Sequence, residues 1–276
     1  MRATTPRIIT AFLAGVSLVF SLTSTSAKSA VQPSPLYAID ANDNVLAAFS
    51  LKAQTVTLIG PIGLGAPLAL AFCPPGGLVP YTITNPFDPD LAQLATLNLH
   101  TGAATLVGSP LPAGQTLDIM GMTCSRNGTL YAIGQFDTAS PDFNSLFTVD
   151  RETGQATRIG STGVLDSSDA SGASGFLMAL AFAPNGELYG VNSASTLFSI
   201  DKSTGTATKI VDLYTAPATR LVGVMGLAID SRGTFYVADF VPGSHIYKVD
   251  TTAGLVTPIL NTGLSFVHNI AFKIPF

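Results

Sequence analysis

The sequence predicts an all-β fold, a five-bladed β-propeller, and three observations carry the prediction. One phrase recurs five times along the chain. Each copy divides into four short apolar stretches separated by turn residues. One copy is split between the two ends of the chain. Composition agrees: 26 Gly and 18 Pro make a turn-rich chain, and 47% hydrophobic residues are enough for a sizeable core.

The recurring phrase reads MALAFAPNGELYGVNSASTLFSIDKSTGTATKI at 178–210. Related copies stand at 120–159 and 225–259, and a looser one at 68–107. The split copy takes its first part from HNIAFKIPF (268–276) and the rest from LYAIDANDNVLAAFSLKAQTVTLI (36–59). Within each copy, stretch A ends at Phe72, Cys124, Phe182, Ile229 or Phe272. Stretch B carries a Tyr: Tyr37, Tyr131, Tyr189 and Tyr236 share one register, and blade 2 puts Val79 there with Tyr81 two residues on. Stretch C reads apolar-aromatic-x-apolar-Asp, as in LFSID. Stretch D holds Thr57, Thr105, Thr157, Thr208 or Thr257, followed two residues later by Ile or Val. β-Branched content, alternation and length make all four stretches strands.

The connections carry turn chemistry. Between C and D stands Asp/Asn-x-x-x-Gly, at Asn98–Gly102, Asp150–Gly154, Asp201–Gly205 and Asp250–Gly254. An Asx oxygen accepts backbone N–H groups at the turn entrance, and Gly takes the left-handed conformation at its exit. These acids are therefore read as turn caps, not as ligands. Blade 1 has Gln54 at the Gly position, which predicts a different turn there. Pairing the C-terminal strand with the N-terminal three closes the ring and removes open sheet edges.

The repeat resembles secreted bacterial propellers of the broad NHL and quinoprotein-like kind, whose blades often read L-Y-x-I-D-x-x-T-G-x-x-T-x-I-G. LFSIDKSTGTATKI and LFTVDRETGQATRIG carry that pattern. The resemblance covers nearly all of the chain after the leader. It implies the fold and leaves the activity open, because propellers host many unrelated functions.

The N-terminus reads as an export signal. Met1–Arg7 carries two Arg and no acid, and Ile8–Leu22 is a fifteen-residue, mostly apolar run. Small residues Thr25 and Ala27 precede a cleavage point after residue 27. The run is short of the roughly 20 residues that span a bilayer. The expected organisation is a signal peptide at 1–27, a linker at 28–34 and a propeller at 35–276. The expected product is secreted, periplasmic or extracellular, with no membrane span once the leader is removed. With 13 basic and 17 acidic residues the chain offers no basic face, so nucleic acid is not an expected partner.

Aligning the A strands gives rings around the axis. One contains Leu68, Met120, Met178, Met225 and His268; the next contains Ala69, Gly121, Ala179, Gly226 and Asn269. The Met ring is read as packing. His268 and Asn269 break the rings, and Asp118 starts an A strand at the same end of the channel. His268 is there as a ligand, a general base or a hydrogen-bonded neighbour of Asn269. The same face gathers acids on its loops: Asp88, Asp90, Asp137, Asp142, Asp166 and Asp169. Carboxylates with Asn and Ser nearby suit Ca²⁺, which takes 6–8 oxygens, although no metal-loop spacing is present.

No catalytic constellation stands out. Glu152 and Glu187 sit at turns on the opposite face from the acidic loops, there is no Gly-x-Ser-x-Gly elbow, and the two cysteines have no CxxC spacing. The first functional expectation is a non-catalytic scaffold binding an unidentified protein or small molecule through its loop face. The alternatives are a metal-dependent hydrolase or lyase at the channel mouth, and a lectin-like propeller, the latter weakened by the absence of Trp. Cys73 and Cys124 lie near matching ends of adjacent A strands with opposite parity. That arrangement suits a disulfide and equally suits two thiols pointing apart.

Overall fold

A computed structural model describes residues 35–74, 78–84, 92–107, 118–135, 144–164, 175–215 and 219–273. Five antiparallel sheets form the five blades. Blade 1 contains β1 (Leu36–Asp40), β2 (Val45–Ser50) and β3 (Thr55–Pro61). Blade 2 contains β4 (Ala71–Cys73), β5 (Val79–Thr84), β6 (Gln93–Leu97) and β7 (Ala104–Leu106). Blade 3 contains β8 (Asp118–Cys124), β9 (Leu130–Gln135), β10 (Ser145–Val149) and β11 (Ala156–Ser161). Blade 4 contains β12 (Leu177–Phe182), β13 (Leu188–Asn192), β14 (Thr196–Ile200) and β15 (Ala207–Asp212). A hairpin, β16 (Tyr214–Thr215) and β17 (Thr219–Arg220), then leads to blade 5: β18 (Val224–Ile229), β19 (Phe235–Asp239), β20 (Gly243–Val249) and β21 (Leu255–Leu264).

The last strand, β22 (Val267–Phe272), pairs antiparallel with β1, from Leu36 opposite Phe272 to Asp40 opposite Val267. It is the inner strand of blade 1 and closes the ring as the split repeat predicts. It is shorter than 268–276, and residues 274–276 lie outside the described residues. Blade 5 also exceeds four strands, because β16 pairs parallel with β21 and carries β17 outside it.

Side-chain alternation places the core between blades. Leu180 and Phe182 point to the blade 3 side, whereas Ala179 and Ala181 pack with blade 5. Tyrosine and phenylalanine rings lock four seams edge-on or tilted: Tyr37–Phe72 at 5.2 Å, Tyr131–Phe182 at 5.5 Å, Tyr189–Phe235 at 4.9 Å and Tyr236–Phe272 at 5.5 Å between centroids. Such pairs add about 0.5–1.5 kcal/mol beyond burial. The fifth seam, between blades 2 and 3, holds a disulfide between Cys73 and Cys124, with Cα atoms 5.2 Å apart.

Pairing corrects one register. Tyr81, not Val79, lies opposite Ala71, as Tyr189 lies opposite Ala181 and Tyr37 opposite Ala271. β4 and β5 pair one residue further than their counterparts, to Cys73 opposite Val79, which shifts the tyrosine along the sequence without moving it in the blade.

The C–D turns follow the predicted chemistry. Gly102, Gly154, Gly205 and Gly254 have φ of 81, 76, 84 and 71°, and each donates its N–H to the carbonyl of the Asx residue four before it. Asn98, Asp150, Asp201 and Asp250 cap the turns with their side-chain oxygens. Gln54 corrects the remaining expectation: its φ is 53°, so blade 1 makes the same turn. Ser50 replaces the Asx cap, accepting from Ala53 N–H at 3.3 Å. The Gln54 amide also donates to Ile259 O of blade 5 at 3.0 Å, a contact no glycine supplies.

The D strands carry a second regularity. The ladder skips Ile59, Ile159, Ile210 and Ile259, so the Ile that follows the repeated Thr by two is a bulge residue in four blades. Just past the bulge, Gly60 and Gly160 run against the next blade. A Cβ there would strike the carbonyl of Thr101 or Thr204.

Candidate functional site

The face built by the D–A and B–C connections is held rigid by buried polar residues at the ends of the B strands. Asp40, Thr84, Asn192 and Asp239 are all at most 5% exposed. Asp40 accepts from the N–H groups of Asn42, Asp43 and Ser265 and from the Ser265 hydroxyl, at 2.9–3.2 Å. Asn192 accepts from Thr196 N–H at 2.7 Å. Asp239 accepts from His245 N–H at 2.7 Å and Tyr247 O–H at 2.9 Å. Each interaction bends the chain back from strand B into strand C.

A left-handed residue ends the B–C connection in four blades: Asn44, Asn144, Ser195 and Ser244, with φ of 55, 51, 61 and 36°. Asn and Ser tolerate this region better than bulky residues. Two of them also tie blade to blade. Asn144 accepts from Leu177 N–H at 3.0 Å and donates to Val164 O and Gly175 O, while Ser244 accepts from Val267 N–H at 3.1 Å. Pro67 precedes Leu68, whose N–H reaches Ile83 O, and so stands at the strand start that Leu177 and Val267 occupy in their blades. Proline has no N–H to give. Asn44 Oδ1 is accordingly buried without a partner.

His268 and Asn269 lie next to each other on β22. His268 is 2% exposed and donates its Nδ1–H to Leu68 O of blade 2 at 3.1 Å. Burial pushes its pKa down to about 4, so the ring is neutral at physiological pH. Asn269 is fully buried and is the residue at which the β1–β22 register slips, with φ of 66°. Its carboxamide finds no partner in the protein. In blades 3, 4 and 5 the slip falls instead at Met120, Met178 and Met225.

Asp118 begins β8, opposite Gln135, on blade 3. Blade 2 therefore stands between it and β22. Asp88, Asp90, Asp137, Asp142, Asp166 and Asp169 lie outside the described residues, as does the leader at 1–27 with its linker at 28–34. Among the described residues no group of three or more His, Cys, Asp and Glu gathers as a metal site would require. The axis itself is narrow. Near the A–B turns it opens into a cavity of about 40 Å³, lined by Ala71, Thr123, Ala181, Ala228 and Ala271 with their neighbours on all five inner strands. Small-molecule pockets run to roughly 300–1,000 Å³.

The feature that sequence reading misses lies on the loop face of blades 5 and 1. Val222, Phe240 and Val241 are 51, 39 and 37% exposed and sit on adjoining connections. Phe240 folds over Gly223, whose φ of 70° lets the backbone pass beneath the ring. Phe240 also packs on Phe266 at 5.6 Å, and Phe266 on His268 at 5.8 Å. A line of rings thus runs from the surface to the innermost strand. The available signal is Phe-Val-Pro in the short B–C connection of blade 5, where the short connections of blades 1 and 4 carry only small and polar residues, Ala41–Asn44 and Ser193–Ser195.

No protein-family model matches the chain, and no curated protein matches it in sequence. Solved structures match in fold. A chain of the nidogen/laminin complex superposes with a TM-score of 0.56 at 12% identity, covering 87% of this chain and 98% of that one. A protein of unknown function from Bacteroides caccae gives 0.51 at 13% identity, with 87% and 98% covered. One from Bacteroides thetaiotaomicron VPI-5482 gives 0.56 at 16% identity, with 89% of this chain and 63% of that chain covered. These likenesses establish the β-propeller fold.

Proposed function

We propose that this propeller is an exported, non-catalytic binding scaffold whose partner is a protein that docks on the face formed by the D–A and B–C connections. The observation that carries the reading is the exposed apolar patch of Val222, Phe240 and Val241, backed by Phe266. Three large apolar side chains side by side on a loop face stand in water at a cost that a docked partner removes. Their backbone is held by hydrogen bonds from Phe240 N–H to Gly223 O at 3.1 Å, Gly223 N–H to Ser193 O at 3.3 Å and Ser244 N–H to Val241 O at 2.6 Å, so little ordering is left to be done on binding. The small axial cavity directs attention to the surface. A similar propeller fold occurs in the nidogen/laminin complex, an assembly of two proteins. Export is supported by the basic and apolar leader and by the disulfide, a bond that persists in oxidising compartments.

The test is a photo-crosslinking amino acid placed at position 240, and separately at position 202 on the opposite face, in the producing organism. A defined protein adduct from position 240 and none from position 202 is the expected result. No adduct at 240, or equal adducts from both, overturns the reading.

A further inference from the structure

The closing strand carries an anomaly that a binding patch does not explain. Asn269 is 0% exposed, and both its Oδ1 and its Nδ2 lack a partner in the protein. Among the described residues the other buried orphans are single atoms, of Asn44, Ser195 and His245, in or beside the B–C connections. Among them Asn269 alone is orphaned at both ends, and it lies on an innermost strand. The blades crowd here. At the matching position blades 2 to 5 carry Ala69, Gly121, Ala179 and Gly226. A Cβ added to Gly121 would come within 2.7 Å of Ala179 Cα, and one added to Gly226 within 3.0 Å of Ile270 Cγ1.

A carboxamide withdrawn from water with neither donor nor acceptor satisfied is disfavoured, and native proteins fill such gaps with bound molecules. We infer that Asn269 holds ordered water at the axis of the propeller, in a site that continues toward the axial cavity. The ligand is uncharged: the adjacent ionisable group is His268, buried and kept neutral, and among the described residues no three His, Cys, Asp or Glu side chains gather as a bound cation would require. It is also small. Ile270 and Ala271, the two residues that follow Asn269, line the axial cavity of about 40 Å³. That volume accepts water molecules and little more. Thr123 supplies a hydroxyl-bearing side chain in that lining, on the far side of blade 2 from β22. Water bound at both groups would hydrate an otherwise apolar axis.

The experiment is water-to-amide magnetisation transfer on the uniformly ¹⁵N-labelled protein, with the Asn269 δ-amide assigned through bonds from its own backbone. A direct, exchange-independent cross-peak between a long-lived water and those δ-protons is the expected result. A crystal structure at about 1.5 Å should then place a water oxygen 2.7–3.2 Å from the carboxamide. A δ-amide with no water contact overturns the inference. So does a crystal in which Asn269 bonds to protein atoms, or to a cation held by several oxygens. Neither measurement involves the apolar patch, so either proposal can fail without the other.

Discussion

Cys73 and Cys124 are joined across the one seam between blades where, among the described residues, no tyrosine–phenylalanine contact is made. Tyr81 is present at that seam in the common register, but the inner strand of blade 3 carries Cys124 at the position where those of blades 1, 2 and 4 carry Phe272, Phe72 and Phe182. The covalent bond takes the place of the ring that is missing.

Removing the bond as Cys73→Ala/Cys124→Ala should lower stability by about 4 kcal/mol on the chain-entropy model for a 51-residue separation. Cys73→Ala/Cys124→Phe restores a ring opposite Tyr81 and should recover about 1 kcal/mol of that loss. Urea melts of the three proteins measure both steps. Equal stability of the two double variants would show that Tyr81 is not poised for the contact.

At position 54 the conformation and the side chain pull in opposite directions. Gln54→Ala keeps the left-handed backbone and loses the bond to Ile259, whereas Gln54→Gly loses the bond and relieves the backbone. Gly should therefore be more stable than Ala by about 1 kcal/mol. Denaturant midpoints of the two variants read the difference directly.

Asn144 and Asn44 occupy the same left-handed position and make different numbers of bonds. Asn144→Gly removes three, while Asn44→Gly removes only the one to Leu64 O because Pro67 offers no donor. The first substitution should cost about 2 kcal/mol more than the second, at roughly 1 kcal/mol per bond. Matched costs in thermal melts would refute the role given to Pro67.

His268 predicts a specific acid sensitivity. Its folded pKa of about 4 lies below the ordinary value of 6.5, so the unfolded chain binds the proton more readily. The stabilising contribution is complete above pH 6.5 and declines as pH falls toward 4. Between pH 7 and pH 5 the loss is about 2 kcal/mol. His268→Gln should remove this part of the pH dependence, measured as unfolding free energy at the two pH values. An unchanged slope would mean the ring is charged in the folded state.

Much of this architecture is legible in the sequence because the fold repeats itself. The Asx and Gly residues of the C–D turns, the Thr and Ile of the D strands, and the division of one blade between 268–276 and 36–59 recur at fixed offsets. Each carries a local physical cause. What resists reading depends on contacts between blades. Tyr81 sits in register only because β4 and β5 pair one residue further, to Cys73 opposite Val79, a fact visible once Ala71 is paired with Tyr81. Gln54 keeps the common turn with a partner 205 residues away. The pairing of Cys73 with Cys124 needs the direction of two side chains, which parity leaves open. His268 reads as a mouth residue from its ring position, while its burial follows from the approach of Leu68 in blade 2. The patch at Phe240 and Val241 escapes the repeat logic because it is built from loop residues that differ from blade to blade and from the approach of Phe240 to Gly223.

Blade 1 also sets the order in which the molecule can be finished. Ser265 and Asp40 are partners across 225 residues, and β22 follows the other strands of the propeller along the chain. Until it is synthesised, β1 has one unpaired side and the inner circle has a gap. The Cys73–Cys124 link, by contrast, joins consecutive blades and can form long before. Ring closure is thus a contact of high sequence separation, slow by its loop entropy, and it comes only after all the other blades have been made. A chain halted before β22 is complete is therefore an open ring with a bare strand edge, a template for self-association.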